Sequence, residues 1–321
     1  MLPRAVPSHR PLSSAVASAV VRLAISLVVA VALVAVVAVE VGFDPPRGPT
    51  AATSSGASEG MGGGSHRDVP APPRVRAPSA VLVDLASGRE LFDRHPARRR
   101  PIASLAKIMT ALVVLDHAPL SEVATVSRRA TRAAPIDIGL KRGERMTVRD
   151  LLYGLLLWSG NDAAVALAEH VGGSVRRFLR MMNDEARALG LGRTRFVSPN
   201  GLNDRGYSTA RDVAILARFA LADRTFASFV ATRRHRIPGP RTQVHRLRNL
   251  NAMLFRYPGA TGVKTGYTRA AGTCVVASAS RAGHEMLAVV LGDPSGDGWR
   301  AAYRDATRLL DYGFALRRRA S

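Results

Sequence analysis

An α+β body is predicted for residues 79–321, and three features of the sequence predict it. A strand-like pair opens the body, helical segments fill its middle, and three strand-like stretches followed by a helix close it. Ala80-Val81-Leu82-Val83-Asp84-Leu85 is a short apolar strand, Ala86-Ser87-Gly88 supplies turn residues, and Arg89-Glu90-Leu91-Phe92 returns as the second arm of a hairpin. Pro101 marks the next break. From Ser104 onward Leu105, Ile108, Met109, Leu112 and Val113 keep helical spacing, so Ser104 is expected where a helix begins. Thr147 to Val171 reads as helix interrupted at Ser159-Gly160-Asn161, where turn-forming residues separate two apolar stretches and define an interhelical loop. Ser174 to Leu189 and Thr209 to Leu221 are amphipathic helices, the second opened by a capping Ser208 or Thr209. Gly262 to Thr265, Cys274 to Ala279 and Met286 to Leu291 are strand-like, and Asp305 to Phe314 is a terminal helix.

Composition narrows the function classes. With 321 residues and 47% hydrophobic content the chain can close a core, which excludes disorder throughout. The 46 Lys+Arg against 24 Asp+Glu give a formal charge of +22, which favours an anionic partner. The basic residues do not form the long blocks of a nucleic-acid tail: Arg98-Arg99-Arg100 and Arg317-Arg318-Arg319 are short and read as solvated surface, so no nucleic-acid partner is expected. A single cysteine, Cys274, forbids an internal disulfide and a thiolate metal cluster.

The N-terminal region carries an export signal. Leu23 to Val39 is an uninterrupted uncharged run with Arg4, Arg10 and Arg22 before it, the arrangement oriented by positive charge inside. The run is longer than a signal-peptide apolar region and at the lower edge of a spanning helix, which favours an uncleaved signal anchor over a cleaved signal peptide. Residues 44–78 hold Pro45-Pro46, Ser54-Ser55-Gly56, Gly62-Gly63-Gly64 and Pro72-Pro73 with little to bury, a flexible stalk. The expected organisation is an anchor over 1–43, a linker over 44–78 and a catalytic domain over 79–321, held outside the cell membrane by its N-terminal anchor.

Three short motifs carry chemistry. Ser104-Leu105-Ala106-Lys107 sets a serine and a lysine one helical turn apart, so the amine can approach the hydroxyl. A lysine acts as a base there only with a depressed pKa, which burial beside another cation provides. Ser159-Gly160-Asn161 offers a second hydroxyl for proton relay and an amide to orient a substrate peptide and the lysine. Its residues are also the ordinary chemistry of a turn. In Gly262-Val263-Lys264-Thr265-Gly266-Tyr267-Thr268 a cation and a hydroxyl project from a strand, and the glycine lets a substrate backbone lie close. Lys264 there could recognise a terminal carboxylate and supply the positive potential that keeps Lys107 neutral.

In this order the three motifs resemble those of the penicillin-binding proteins and serine β-lactamases. Within that group the chain is similar to the low-molecular-mass serine D-alanyl-D-alanine carboxypeptidases, peptidase family S11. The resemblance extends to Ile102-Ala103-Ser104-Leu105-Ala106-Lys107-Ile108-Met109-Thr110, to Phe196-Val197-Ser198-Pro199-Asn200-Gly201-Leu202, to Tyr207-Ser208-Thr209-Ala210-Arg211-Asp212 and to Ala271-Gly272-Thr273-Cys274. It covers about Ser79 to Ala315. The resemblance implies a β-lactamase/transpeptidase-like fold, an antiparallel sheet flanked by helices with a helical subdomain and the active site between them. It also implies an acyl-enzyme: Ser104 attacks, Lys107 takes its proton, Ser159 relays a proton to the leaving D-alanine and Asn161 orients the chain. The N–H groups of Ser104 and Tyr267 hold the oxyanion, while Lys264, Thr265 and Gly266 hold the substrate. The implied partners are peptidoglycan stem peptides ending in D-Ala-D-Ala, with β-lactams as covalent inhibitors. No metal or organic cofactor is required, and none of the eight histidines falls in a His-Glu-x-x-His pair. Relatives often carry a carboxylate-assisting arginine near the start of the last helix; Arg300 and Arg304 lie near that place, neither in the expected register. Some relatives continue into a small C-terminal β domain and a membrane-binding helix, whereas this sequence stops at Ser321, which leaves the N-terminal segment as the candidate anchor. Two rivals are a class A β-lactamase, which would need a Glu-x-x-Leu-Asn element not found after Ser159, and a non-catalytic wall-binding scaffold of the same fold.

Overall fold

The computed structural model describes residues 70–133, 135–238, 244–293 and 299–318, all within the contact unit Arg67–Ser321. The expected anchor over 1–43 and most of the stalk lie outside the described residues. No helix among those described is long and apolar enough to cross a membrane.

The body opens with β1 (Ser79–Asp84) and β2 (Glu90–Arg94), the expected hairpin, with Leu82 opposite Phe92. A 3-10 turn at Ala103–Leu105 leads into α1 (Ala106–His117). The short strands β3 (Val123–Thr125) and β4 (Arg145–Thr147) pair with each other, and α2 (Val148–Leu156), α3 (Asn161–Gly172), α4 (Val175–Ala188), α5 (Ala210–Ala222) and α6 (Arg224–Ala231) follow. A second hairpin, β5 (Arg234–Pro238) with β6 (Val244–Arg248), and the short α7 (Met253–Arg256) precede three long strands. These are β7 (Ala260–Thr268), β8 (Gly272–Arg281) and β9 (His284–Asp293), and α8 (Trp299–Arg318) ends the described chain.

One antiparallel five-stranded sheet, in the order β2-β1-β9-β8-β7, joins the first strand of the body to its last. Helical layers cover both of its faces, so its central strands are apolar on both sides. Along β1 the alternation is strict: Val81 and Val83 enter the core shared with α1 to α6, whereas Ala80 and Leu82 enter the core against α8. The same alternation sends Val276 and Val289 one way and Val275 and Val290 the other. α1 sits inside the larger core, with Ile108, Met109, Ala111 and Val114 all fully buried. Its helical spacing was legible; that it is enclosed on every side was not.

Local caps fix the helix starts. Thr147 accepts the Asp150 N–H, Ser174 the Arg177 N–H, Thr209 the Asp212 N–H, and Asp223 the Thr225 and Phe226 N–H groups. The terminal helix is longer than the predicted Asp305 to Phe314, and α1 begins two residues after Ser104, because the tight 3-10 turn precedes it. The two small hairpins and α6 were not read from the sequence. β3 and β4 are too short for a period to show, and β5 and β6 are rich in arginine.

The folded body begins before Ser79. Val75 and Ala77 are buried against α8, and the N–H groups of Arg76 and Ala77 donate to Asp305 Oδ2 at 2.7 and 2.8 Å. Asp305 is itself buried, so its carboxylate is held by backbone from the far end of the body. Asp305→Ala would leave both N–H groups without their acceptor and is expected to lower stability by about 1–3 kcal/mol. Urea unfolding of the variant against the parent measures this, and an unchanged midpoint would show that the entering strand is not held there.

Candidate active site

The site lies where the 3-10 turn, the loop before α3, the segment 196–202 and the edge strand β7 converge. Its centre is the Lys107 amine, which is fully buried. Lys107 Nζ lies 2.9 Å from Ser104 Oγ, 2.8 Å from Asn161 Oδ1 and 3.0 Å from the Asn200 carbonyl oxygen. Two of these three partners can only accept. A neutral amine therefore donates its two hydrogens to Asn161 and Asn200 and turns its lone pair to Ser104, whose hydroxyl can donate to it.

The electrostatics favour that neutral form. Burial pushes the Lys107 amine well below the usual lysine range, and the charge of Lys264 lowers it further, while Asp162 pulls in the opposite direction. Lys264 is also buried and is pushed down to about 7 by desolvation. Its amine donates to the Thr265 carbonyl at 2.8 Å. No ion pair joins either lysine to a carboxylate among the described residues, so Lys264 in its charged form retains an unfilled preference for an anion.

The other expected residues gather around this centre. Ser159 is buried on the loop before α3 and Asn161 is buried as the first residue of that helix, one step later than the interhelical loop expected for it, and the Asn161 N–H donates to the Ile136 carbonyl at 2.7 Å. Ser159 makes no hydrogen bond to Ser104 or Lys107, so a proton relay through it needs a bridging group. Its backbone is left-handed, with φ +65°, as is that of Ala103 at φ +47° immediately before Ser104. Such conformations in non-glycine residues cost about 1–3 kcal/mol each and persist only where surrounding packing imposes them. Thr265 is buried, and Gly266 presses against the 3-10 turn: a Cβ there would sit 2.7 Å from the Ser104 nitrogen. Glycine thus leaves the space in front of that N–H open, with Tyr267 next along the strand and exposed. β7 is the last strand of its sheet, so its outer edge is free to receive an extended backbone beside Ser104.

A family model described as D-alanyl-D-alanine carboxypeptidase matches residues 66–295. This chain belongs to that family. DacF of Bacillus subtilis, named a D-alanyl-D-alanine carboxypeptidase, is 36% identical over 245 residues, which cover 74% of this chain and 62% of that protein. The match thus spans less than two thirds of the Bacillus relative. A D-alanyl-D-alanine carboxypeptidase of Mycobacterium tuberculosis is 36% identical over 244 residues, 75% of this chain and 83% of its own length. Among solved structures, a Streptomyces DD-transpeptidase superposes with a TM-score of 0.73 at 34% identity, covering 77% of this chain and all of that one. The expected transpeptidase-like α+β fold is therefore observed.

Within this carboxypeptidase fold, several contributors to the site had no signal of their own in side-chain chemistry. The Asn200 carbonyl holds Lys107, and the Pro199 carbonyl accepts from Thr110 Oγ1 at 2.6 Å, so the segment 196–202 clasps α1 through its backbone. Buried Asp162 accepts the N–H groups of Ile138, Leu140 and Ala163 and so fixes the loop that carries the Ile136 carbonyl. Thr268 Oγ1 donates to Asp204 at 2.6 Å and ties the end of β7 to the loop after Gly201. A roomier cleft of about 520 Å³ runs between α7 and α8, lined by Arg300 and Arg304 among others, and none of the three motifs contributes to its walls. Neither arginine is thereby placed beside Lys264.

Gly201 is the tightest point of the clasp. It has φ +82°, and a Cβ would lie 1.8 Å from the Ala103 carbonyl oxygen. Gly201→Ala is expected to destabilise the protein by roughly 2 kcal/mol or more, through backbone strain and that clash. Chemical denaturation reads the loss, and a variant as stable as the parent would mean that the segment yields freely.

Proposed function

We propose that this chain is a serine D-alanyl-D-alanine carboxypeptidase that removes the terminal D-alanine from peptidoglycan stem peptides through an acyl-enzyme on Ser104. The observation that carries the reading is the Lys107 amine, buried without a carboxylate partner and 2.9 Å from the Ser104 hydroxyl. Ser104 Oγ attacks the carbonyl carbon between the last two D-alanines as its proton passes to Lys107 Nζ. The carbonyl oxygen becomes an oxyanion beside the Ser104 N–H and the Tyr267 N–H. Each such donor supplies about 3–4 kcal/mol of barrier lowering in comparable sites. The C–N bond then breaks, the leaving amine takes a proton from Lys107 through Ser159 with a bridging water between them, and D-alanine departs. Water hydrolyses the ester that remains.

Lys264 and Thr265 receive the substrate's terminal carboxylate. The carboxylate supplies the anion that buried Lys264 lacks, and its approach restores a full charge to an amine that desolvation holds at about 7. Asn161 keeps Lys107 aimed at Ser104. β-Lactams acylate the same serine. The body works outside the cytoplasmic membrane, tethered by the apolar run 23–39 with its preceding arginines, a reading that rests on the sequence.

Intact-mass measurement on the purified full chain tests the chemistry. Benzylpenicillin should give a long-lived one-to-one adduct on Ser104, and a peptide ending in D-Ala-D-Ala should release free D-alanine. Ser104→Ala should do neither while remaining folded. Rapid loss of the adduct with drug hydrolysis would make the protein a β-lactamase, and no adduct on a folded chain would make it a scaffold.

The pH dependence follows from the two buried amines. Acylation requires neutral Lys107, so the rate rises with pH as that proton leaves. Lys264→Gln removes a charge that lowers the Lys107 pKa, and the acid limb of the acylation profile should therefore move to higher pH. Stopped-flow acylation by benzylpenicillin across pH measures this. A limb that stays in place or moves to lower pH would remove the electrostatic role of Lys264.

A further inference from the structure

The β5–β6 hairpin contributes none of the catalytic residues, and its cross-strand pairs are of a kind that weakens a ladder. In its register Arg234 faces Arg248 and Arg236 faces Arg246. Like charges placed directly opposite one another are destabilising. All four side chains are exposed, and none forms an ion pair among the described residues. The opposite face of the ribbon is anchored: Ile237 and Leu247 are buried, and His235 stacks on Tyr153 at 3.6 Å. His245 meets the Ile138 carbonyl at 2.7 Å and Glu144 at 3.1 Å. Because side chains alternate along a strand, that anchoring turns both arginine pairs to solvent together. The track continues at one end, where the Arg248 guanidinium lies 4.7 Å from the centre of the Phe255 ring and exposed Arg256 follows.

We propose that this ribbon is a docking surface for a linear phosphodiester polymer, one phosphate per repeat. Successive arginines on one strand stand about 7 Å apart, and opposed backbones about 5 Å apart. The guanidinia therefore form a narrow line of paired forks, and a guanidinium fork matches a phosphate in bidentate geometry. Among the described residues the exposed large hydrophobics are Val123, Ile136, Leu202, Ile215, Leu250, Tyr267 and Trp299, and none lies in Arg234–Pro238 or between His245 and Arg248. The described part of the arginine face thus lacks the apolar side chains with which a membrane-docking surface inserts into a bilayer. Charge complementarity with a chain of phosphates accounts for a repulsion that the fold alone would select against.

Binding of a poly(glycerol phosphate) oligomer to the full chain, measured by calorimetry over a range of salt concentrations, tests the proposal. Replacing Arg234, Arg236, Arg246 and Arg248 with glutamine should weaken binding at least tenfold at low salt. It should also reduce the slope of log affinity against log salt by about 3, at roughly 0.7 to 0.9 per phosphate contact. The double variant Arg236→Gln/Arg246→Gln should give about half that change. Glutamine at Arg128, Arg129, Arg176 and Arg180, exposed elsewhere, removes the same charge and should change the slope by less than about 1. Unchanged acylation by benzylpenicillin verifies that each variant is folded. Equal losses in the two fourfold variants would overturn the proposal by making the attraction diffuse. It would equally be overturned if the hairpin variants lost binding to phosphatidylglycerol vesicles and kept binding to the polymer.

Discussion

Lys107 carries an amine into the interior with no carboxylate to meet it, and much of the site follows from that burial. Desolvation and a neighbouring cation push the pKa of such a lysine down toward the neutral form, and the neutral amine can accept the proton of Ser104. The arrangement requires two fixed acceptors to consume the amine's hydrogens. Asn161 supplies one from the first residue of α3 and Asn200 supplies the other from backbone. Loss of either would free the amine to turn away from the serine. The surrounding hydrogen bonds of Thr110 and Asp162 hold those acceptors in place.

The sheet gives this arrangement its rigidity. Joining β1 to β9 places the two ends of the body in one ladder, and filling both faces leaves the central strands no freedom to shift. β7 is held on one side by β8 and approaches Ser104 at Gly266. The left-handed backbone at Ala103 sits among closely packed neighbours. Gly201 and Gly266 both approach the 3-10 turn, and each occupies a position where a methyl group would meet backbone.

Charge is divided between two regions with opposite treatment. Around Ser104 two lysines are stripped of water, Lys107 beside the serine hydroxyl and Lys264 on β7. On the β5–β6 ribbon four arginines stay solvated and face one another across the ladder. The net charge of +22 reflects many such exposed basic residues. Desolvation separates their uses, since a buried amine becomes a base while an exposed guanidinium remains a permanent charge.

By itself the sequence determined the α+β class, the opening hairpin, the main helices and the identity of Ser104, Lys107, Ser159, Asn161, Lys264, Thr265, Gly266 and Tyr267 as candidates. Those elements are local: apolar spacing, caps and turn residues act within a few positions and can be read in order. Tertiary structure decided what no local pattern encodes. It brought the Asn200 carbonyl, 93 residues away, onto Lys107, enclosed α1 on every side, and folded the residues just before Ser79 against Asp305. It also revealed that alternate arginines of two strands stand opposite one another. The physical reason is common to all four. A backbone carbonyl, a burial and a cross-strand register are properties of chain segments brought together in space, and every residue carries a carbonyl whatever its side chain.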